Sequence, residues 1–387
     1  MDDRRSRHGN ITREKLLDAA FIYTEKYFAY DYGAQHPLKI ERLRLTYELC
    51  RAFGMLDPED GAFVETVAAT EAEILQFHSP IYVNTLKRVN SGGPPAMSSY
   101  GLGLGDNPIF PGVWDWSLLH AGGAIQAARM VADGRARVAF HIAGGLHHAM
   151  SERASGFCYV NDPVLAIIEL LKTCQKVMYV DIDVHHGDGV QFAFYDNPRV
   201  LTVSLHQDGR TLFPGSGRVV EIGEKDGRGY SLNMPLLPGA DDAVFVEAFM
   251  GVVPPTIERF KPDVLVAQLG VDTFADDPLG HLDVTTNGFC EMVRYFNENC
   301  PRWVALGGGG YDVANVVRAW TLAWGILSGQ EPPNDIPLHM INPPGLPGGL
   351  GRKLRDAPYK STSSSQCAED MRENLSFLEK EVFPLIR

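Results

Sequence analysis

The sequence has no excess of basic residues, no Cys-x-x-Cys pair, no long apolar run and no internal repeat. Each absence closes a class of function. Lys and Arg total 35 against 48 Asp and Glu, a net charge of -13. A sequence-independent nucleic-acid binder needs a basic face to displace counterions, so nucleic acid is excluded as a partner. The acidity suits cationic partners such as basic peptides or polyamines, or serves solubility alone. The six cysteines, at 50, 158, 174, 290, 300 and 367, are too scattered for a zinc ribbon or a redox motif. They are expected as buried small hydrophobes in a reducing compartment. No stretch of about eighteen apolar residues is present, so no membrane span is expected. The opening Met-Asp-Asp-Arg-Arg-Ser-Arg-His leads into no apolar segment, so no signal peptide is expected either and a cytoplasmic location follows.

What the chain does have is alternation. Short apolar, β-branched runs are predicted as strands at 20–24, 63–68, 138–143, 177–183, 200–206, 230–235, 264–270 and 302–306. Between most of them, helical periodicity is predicted over 38–53, 115–133, 161–174, 241–260, 286–299 and 312–328. Such alternation predicts an α/β fold: one domain built on a parallel sheet of about eight strands, with helices on both faces. The runs at 177–183 and 264–270 are nearly all apolar, as doubly covered strands require. The organisation expected is a flexible N-terminal arm over 1–18, a catalytic domain over 19–330, and a C-terminal segment over 331–387. Within that last segment, 330–365 is rich in Pro, Gly, Ser and Thr and reads as surface wrapping. Residues 366–383 read as an amphipathic helix that packs on the body or on a second copy, leaving a homo-oligomer open.

Twelve histidines are present, and six of them (141, 147, 148, 185, 186 and 206) fall in one short stretch. The densest signal is Asp181-Ile-Asp183-Val-His185-His186-Gly-Asp188-Gly. It begins in the predicted strand 177–183 and continues past its end, and because residues two apart along a strand face the same side, Asp181, Asp183 and His185 are expected to project together. Three polar groups on a buried strand face demand a partner, and a metal ion supplies one. Asp183 and His185 are therefore the first two candidate ligands. Asp272, directly after the apolar run 264–270, is either the third ligand or a turn cap. Three protein ligands with an open position suit catalytic zinc, though Fe²⁺ accepts the same donors.

His147-His148 follows a strand across a Gly-Gly turn. As a pair they would remove a proton from water and return one to a leaving group. Each needs a carboxylate behind it, and Asp181 and Asp188 are assigned to His147 and His148 respectively. Taken alone, the pair would read as surface loop. Gly307-Gly-Gly-Gly310-Tyr311 allows close substrate approach, and Tyr311 is a candidate donor to a developing oxyanion, or else a buried turn tyrosine. All these residues fall at the carboxyl ends of predicted strands, where open parallel sheets place their ligand crevice.

At these residues the chain resembles the zinc-dependent histone deacetylase family, especially class I and the bacterial acetoin-utilization deacetylase-like members. The matching runs are Gly-Gly-Leu-His-His-Ala (144–149), Ala-Ser-Gly-Phe-Cys-Tyr-Val-Asn-Asp (154–162), Asp-Ile-Asp-Val-His-His-Gly-Asp-Gly (181–189), Thr-Val-Ser-Leu-His (202–206) and Gly-Gly-Gly-Gly-Tyr (307–311). The resemblance covers about residues 20–328. It implies the arginase/deacetylase-like fold and hydrolysis of an acylated lysine in a peptide or protein. It further implies that Phe157 and Phe213 wall a narrow tunnel, with Leu279 at its rim. The carbonyl of Gly156 would take the scissile N–H, Asp106 would hold the substrate backbone, and Gly309 would line the substrate site. Arg42 would line an internal cavity. A structural potassium ion would sit at Asp181, Asp183, His185, Ser204 and Leu205, and a second at Phe194, Asn197, Val200 and Tyr230. The chain lacks the long charged tails of eukaryotic members, so no co-repressor is implied, and His281 stands in the rim loop where smaller residues are usual. Three other functions remain open: an acetylpolyamine amidohydrolase, a catalytically silent acyl-lysine binder, and a ureohydrolase with two manganese ions.

Overall fold

The computed structural model describes residues 17–57, 61–93, 98–103 and 105–387. Its strands are β1 (Leu17–Tyr23), β2 (Phe63–Glu65), β3 (Ala136–His141), β4 (Val177–Asp181), β5 (Val200–Gln207), β6 (Ser231–Leu236), β7 (Val264–Gln268) and β8 (Trp303–Leu306). They form one sheet in the order β2-β1-β3-β8-β7-β4-β5-β6. Every neighbouring pair is parallel. This is the α/β parallel sheet expected from the alternating pattern.

Alternate strand residues serve two apolar layers, because successive side chains leave opposite faces. Val177, Tyr179, Val264, Val266, Val304 and Leu306 pack on one side. Met178, Val180, Leu265, Ala267, Trp303 and Ala305 pack on the other. The first layer is closed by α4 (Val113–Ala132), α5 (Asp162–Leu170) and α6 (Asp188–Ala193). The second is closed by α1 (Glu41–Ala52), α7 (Asp242–Phe260), α8 (Thr286–Asn299) and α9 (Val313–Leu327), with α3 (Pro80–Asn90) and α10 (Ser364–Phe377) at its margins. A single turn, α2 (Glu71–Ile74), completes the α-helices of the described residues.

Three departures from expectation have local causes. Helices α2, α3 and α6 were not anticipated. For α3 the signal was Ser79-Pro80, since Ser79 Oγ caps Tyr82 N at 3.3 Å and Pro80 opens the first turn. Strand β4 stops at Asp181 rather than 183, because the Asp181 side chain accepts Asp183 N at 3.1 Å and turns the chain out of the ladder. The expected arm over 1–18 is too long by two residues. Leu17 and Asp18 begin β1, where Leu17 N donates to Arg135 O (2.9 Å) and Arg137 holds Asp18 (2.7 Å). Residues 1–16 lie outside the described residues.

From 331 to 363 the chain runs over the surface with only a 3-10 turn at Leu338–Met340. Helix α10 then lies against β6 and α7, burying Cys367 and Met371. All six cysteines are buried and unpaired. Among the described residues no helix is long and apolar enough to cross a membrane.

Candidate active site

Beyond β3 the chain turns at Gly144-Gly145 to deliver His147 and His148. Gly145 has φ 96°, and a side chain there would strike Gln268 and Gly308. Asp162, at the start of α5, fixes this turn by accepting Gly145 N (2.9 Å) and Leu146 N (2.8 Å). Asn161 donates to His147 O (3.0 Å) and Ala149 O (2.9 Å) while capping α5. Burial pushes the Asp162 carboxyl up to about 7, against the pull of its two backbone donors.

The two histidines are fully enclosed. His147 Nδ1 lies 2.8 Å from Asp181 Oδ2, and His148 Nδ1 lies 2.7 Å from Asp188 Oδ1. Their Nε2 atoms are 2.9 Å apart. Burial works against charge on His147, but Asp181 and Asp183 raise it to about 9. Burial and the neighbouring charged His147 lower His148 to about 4 in spite of Asp188. The carboxylates thus favour positive charge on His147, whereas burial and His147 disfavour it on His148. The Tyr179 hydroxyl donates to Asp181 at 2.7 Å and completes that carboxylate's shell.

Next to this pair, donor atoms of Asp183, His185 and Asp272 lie within 4.8 Å of one another, all buried. His185 Nδ1 is 3.2 Å from Asp183 Oδ1 and 3.0 Å from Asp272 Oδ2. The shared strand face expected for Asp181, Asp183 and His185 is not how they meet. Asp183 and His185 lie in the loop after β4, and Asp181 faces His147 instead. The loop is shaped by its own carboxylates: His185 N donates to Asp183 Oδ1 (3.0 Å) and Val184 N to Asp272 Oδ1 (2.9 Å). Gly309 N, after β8, donates to Asp183 Oδ2 (2.7 Å). A side chain at Gly309 would collide with both carboxylates. Burial lowers His185, yet the two carboxylates raise it to about 10. Burial and nearby Asp183 push the Asp272 carboxyl up. Two enclosed carboxylates around one imidazole attract positive charge, and the O, N, O donor set fits a divalent cation.

Aromatic rings surround the approach. Phe213 is 42% exposed, with its ring 5.0 Å from His148 and 6.3 Å from His185. The half-buried Phe157 packs edge-on to Tyr311 at 5.5 Å, and Tyr311 is 6.5 Å from His185. Phe157 sits at φ 69°, its carbonyl taken by the Tyr32 hydroxyl (2.9 Å). Gly156 (φ 51°) passes so close to His148 and Phe213 that no side chain fits there. Leu279 is half-buried in the loop after Asp272, and Asp106 is exposed, its carbonyl bonded to His36 Nε2 at 3.1 Å. Arg42 is not among these rings. It is buried behind the glycine run, donating to Gly310 O (2.9 Å) over the face of Trp320. Burial lowers its pKa.

The residues expected at potassium also occupy defined places. Ser204 pairs with Asp181 across β5 and β4, and its Oγ meets His206 Nδ1 at 2.8 Å. Leu205 follows it in β5, fully buried. Phe194 O, Asn197 O and Tyr230 O each accept one backbone N–H, from Asn197, Val200 and Thr202.

Gln268, Asn161 and Asp162 were not singled out from sequence. Gln268 Nε2 donates to Gly145 O (2.8 Å), joining the end of β7 to the histidine turn. A polar residue at the end of an otherwise apolar strand, pointing where a site is expected, was the available signal.

Residues 36–327 match the model of the histone deacetylase domain. Histone deacetylase 9 of Arabidopsis thaliana is 41% identical over 353 residues, covering 88% of this chain and 82% of that protein. The acetoin utilization protein AcuC of Bacillus subtilis is 41% identical over 335 residues, covering 84% and 86%. Among solved structures, an HDAC homologue complexed with SAHA superposes with a TM-score of 0.84 at 34% identity, over 92% of this chain and 99% of that one. An HDAC homologue from Aquifex aeolicus gives 0.82 at 33% identity, over 92% and 99%.

Proposed function

The chain belongs to the histone deacetylase family, and on that premise we propose that it is a zinc-dependent deacylase of acetyl-lysine, or another short acyl-lysine, in peptides and proteins. The observation that carries this is one buried space in which an Asp–His–Asp donor group adjoins two His–carboxylate pairs.

Asp183, His185 and Asp272 would hold the zinc, with Asp183 oriented by Gly309 N. Bound there, zinc supplies Lewis acidity to the acyl carbonyl and acidifies water. His148, neutral and anchored through Nδ1 to Asp188, takes the proton from water and passes it to the departing lysine amine. His147, kept positive by Asp181, places fixed charge beside the reacting carbonyl. The Tyr311 hydroxyl donates to the oxyanion. Phe157 and Phe213 strip water from the lysine stem, the Gly156 carbonyl accepts the scissile N–H, and Asp106 at the rim accepts from the substrate backbone.

Elemental analysis and turnover, measured on the same preparation, test this. One zinc per chain and hydrolysis of an acetyl-lysine peptide are expected. Two manganese ions would favour a ureohydrolase, faster turnover of acetylpolyamines would move the substrate, and binding without turnover would leave a recognition module. Tyr311→Phe should keep its zinc and lose roughly 100- to 1,000-fold in kcat, the usual loss for one oxyanion donor. Normal turnover in that variant would end the tyrosine's assigned role.

A further inference from the structure

Tyr311 is reached through four glycines, of which Gly308 (φ 122°) and Gly310 (φ 135°) hold conformations that other residues rarely adopt. Such a run does little to fix the direction of the residue that follows it. On the other side, Asp312 caps α9, its carboxylate accepting Asn315 N at 2.9 Å. The Tyr311 N–H belongs neither to the sheet nor to the helix, and its partner is a side chain. Asp277 Oδ2 accepts Tyr311 N at 2.7 Å and Asp312 N at 3.3 Å. The other oxygen of the same carboxylate accepts Leu279 N at 2.9 Å.

Asp277 is itself immobilised. It is only 6% exposed, and its own N–H donates to Phe274 O at 3.0 Å. Phe274 bridges to Val284, and Ala275 N donates to Val284 O at 3.1 Å. At the far end of the loop, His281 N donates to the buried Gln207 side chain at 2.8 Å. A rigid carboxylate therefore spans the tunnel rim at Leu279 and the backbone of Tyr311, and it lies outside the donor group of Asp183, His185 and Asp272.

We propose that Asp277 is the positioning residue of Tyr311: it fixes the backbone after the glycine run so that the phenol hydroxyl meets the oxyanion. The proposal rests on the role given to Tyr311 above. Asp277→Asn keeps the shape but turns an amide donor towards at least one backbone N–H. It should fold, keep its zinc and lose about 10- to 100-fold in kcat, with a smaller change in KM, as a misplacement of about an ångström does. A double-mutant cycle separates positioning from general damage. In a Tyr311→Phe background, Asp277→Asn should leave kcat within about twofold of Tyr311→Phe alone. Losses that multiply would overturn the proposal, as would unchanged kcat in the single variant or zinc content that falls with activity. If Asp277→Asn and Asp277→Ala both fail to fold, amide exchange in the unaltered protein decides: a protected Tyr311 N–H supports the proposal and a rapidly exchanging one refutes it. Full activity in Tyr311→Phe would instead remove the premise, a different result from a silent Asp277→Asn beside an inactive Tyr311→Phe.

Discussion

Asp162 carries no assigned chemistry, yet the histidine pair depends on it, since its carboxylate holds both amides of the Gly145-Leu146 turn. Its pKa rises from 3.8 to about 7, chiefly by burial. An acid raised in this way favours the folded state most when protonated. That stabilisation is full below about pH 4 and is lost as pH climbs through about 7. Asp162→Asn removes the titration. Urea melts should show the wild-type advantage over Asp162→Asn shrinking between pH 4 and 7, whereas a difference that ignores pH would contradict the cause given. Residues of this kind were the hardest to see in the sequence. The carboxylates behind His147 and His148 stood in the Asp181–Gly189 segment, beside other polar groups that pointed to a site. Asp162, Gln268 and Asp277 act on backbone amides, and nothing local in the chain says which amide a buried side chain will meet.

At the scale of elements, the apolar runs of β4 and β7 were legible because strands covered on both faces need little else. Their ends were less so, since Asp181 stops β4 through a side-chain turn rather than through a Gly or Pro. Short α6 offered too few residues for helical periodicity to register. Helix α10 was visible as an amphipathic segment, but its place in the fold was not. It lies over β6, an edge strand, where Asn374 Nδ2 donates to Pro235 O at 3.2 Å and Arg372 pairs with Glu247 at 2.7 Å. Met371 in this helix, and Leu378 and Val382 just beyond it, are fully buried. Each such side chain contributes about 1.5–3 kcal/mol when removed from water. Deletion of residues 363–387 should therefore lower Tm sharply and bare an edge that aggregates. Light scattering and thermal melts would detect this, and an unchanged Tm would show that α10 is dispensable.

Over the whole molecule, the donor group draws Asp183 from beyond β4, Asp272 from beyond β7 and the supporting Gly309 from beyond β8. A cation there would bind the folded chain and not the unfolded one, so it should stabilise the entire sheet. With free zinc at about 100 times its Kd, mass action adds about 2.7 kcal/mol. Chelation should lower the melting temperature and zinc should restore it. Identical melts with and without chelator would count against a cation bound to the folded chain at this site.

The strand order also has a consequence for how the chain is made. The last strand to leave the ribosome, β8, does not join an edge. It lies between β3 and β7, whose residues are already synthesised and waiting. Until 303–306 emerge, the two halves of the sheet have no common centre and Asp183 has no Gly309 to orient it. A cation at Asp183, His185 and Asp272 would gain that support only once β8 has emerged, and a nascent chain stalled short of β8 exposes two unpaired seams to whatever chaperones attend it.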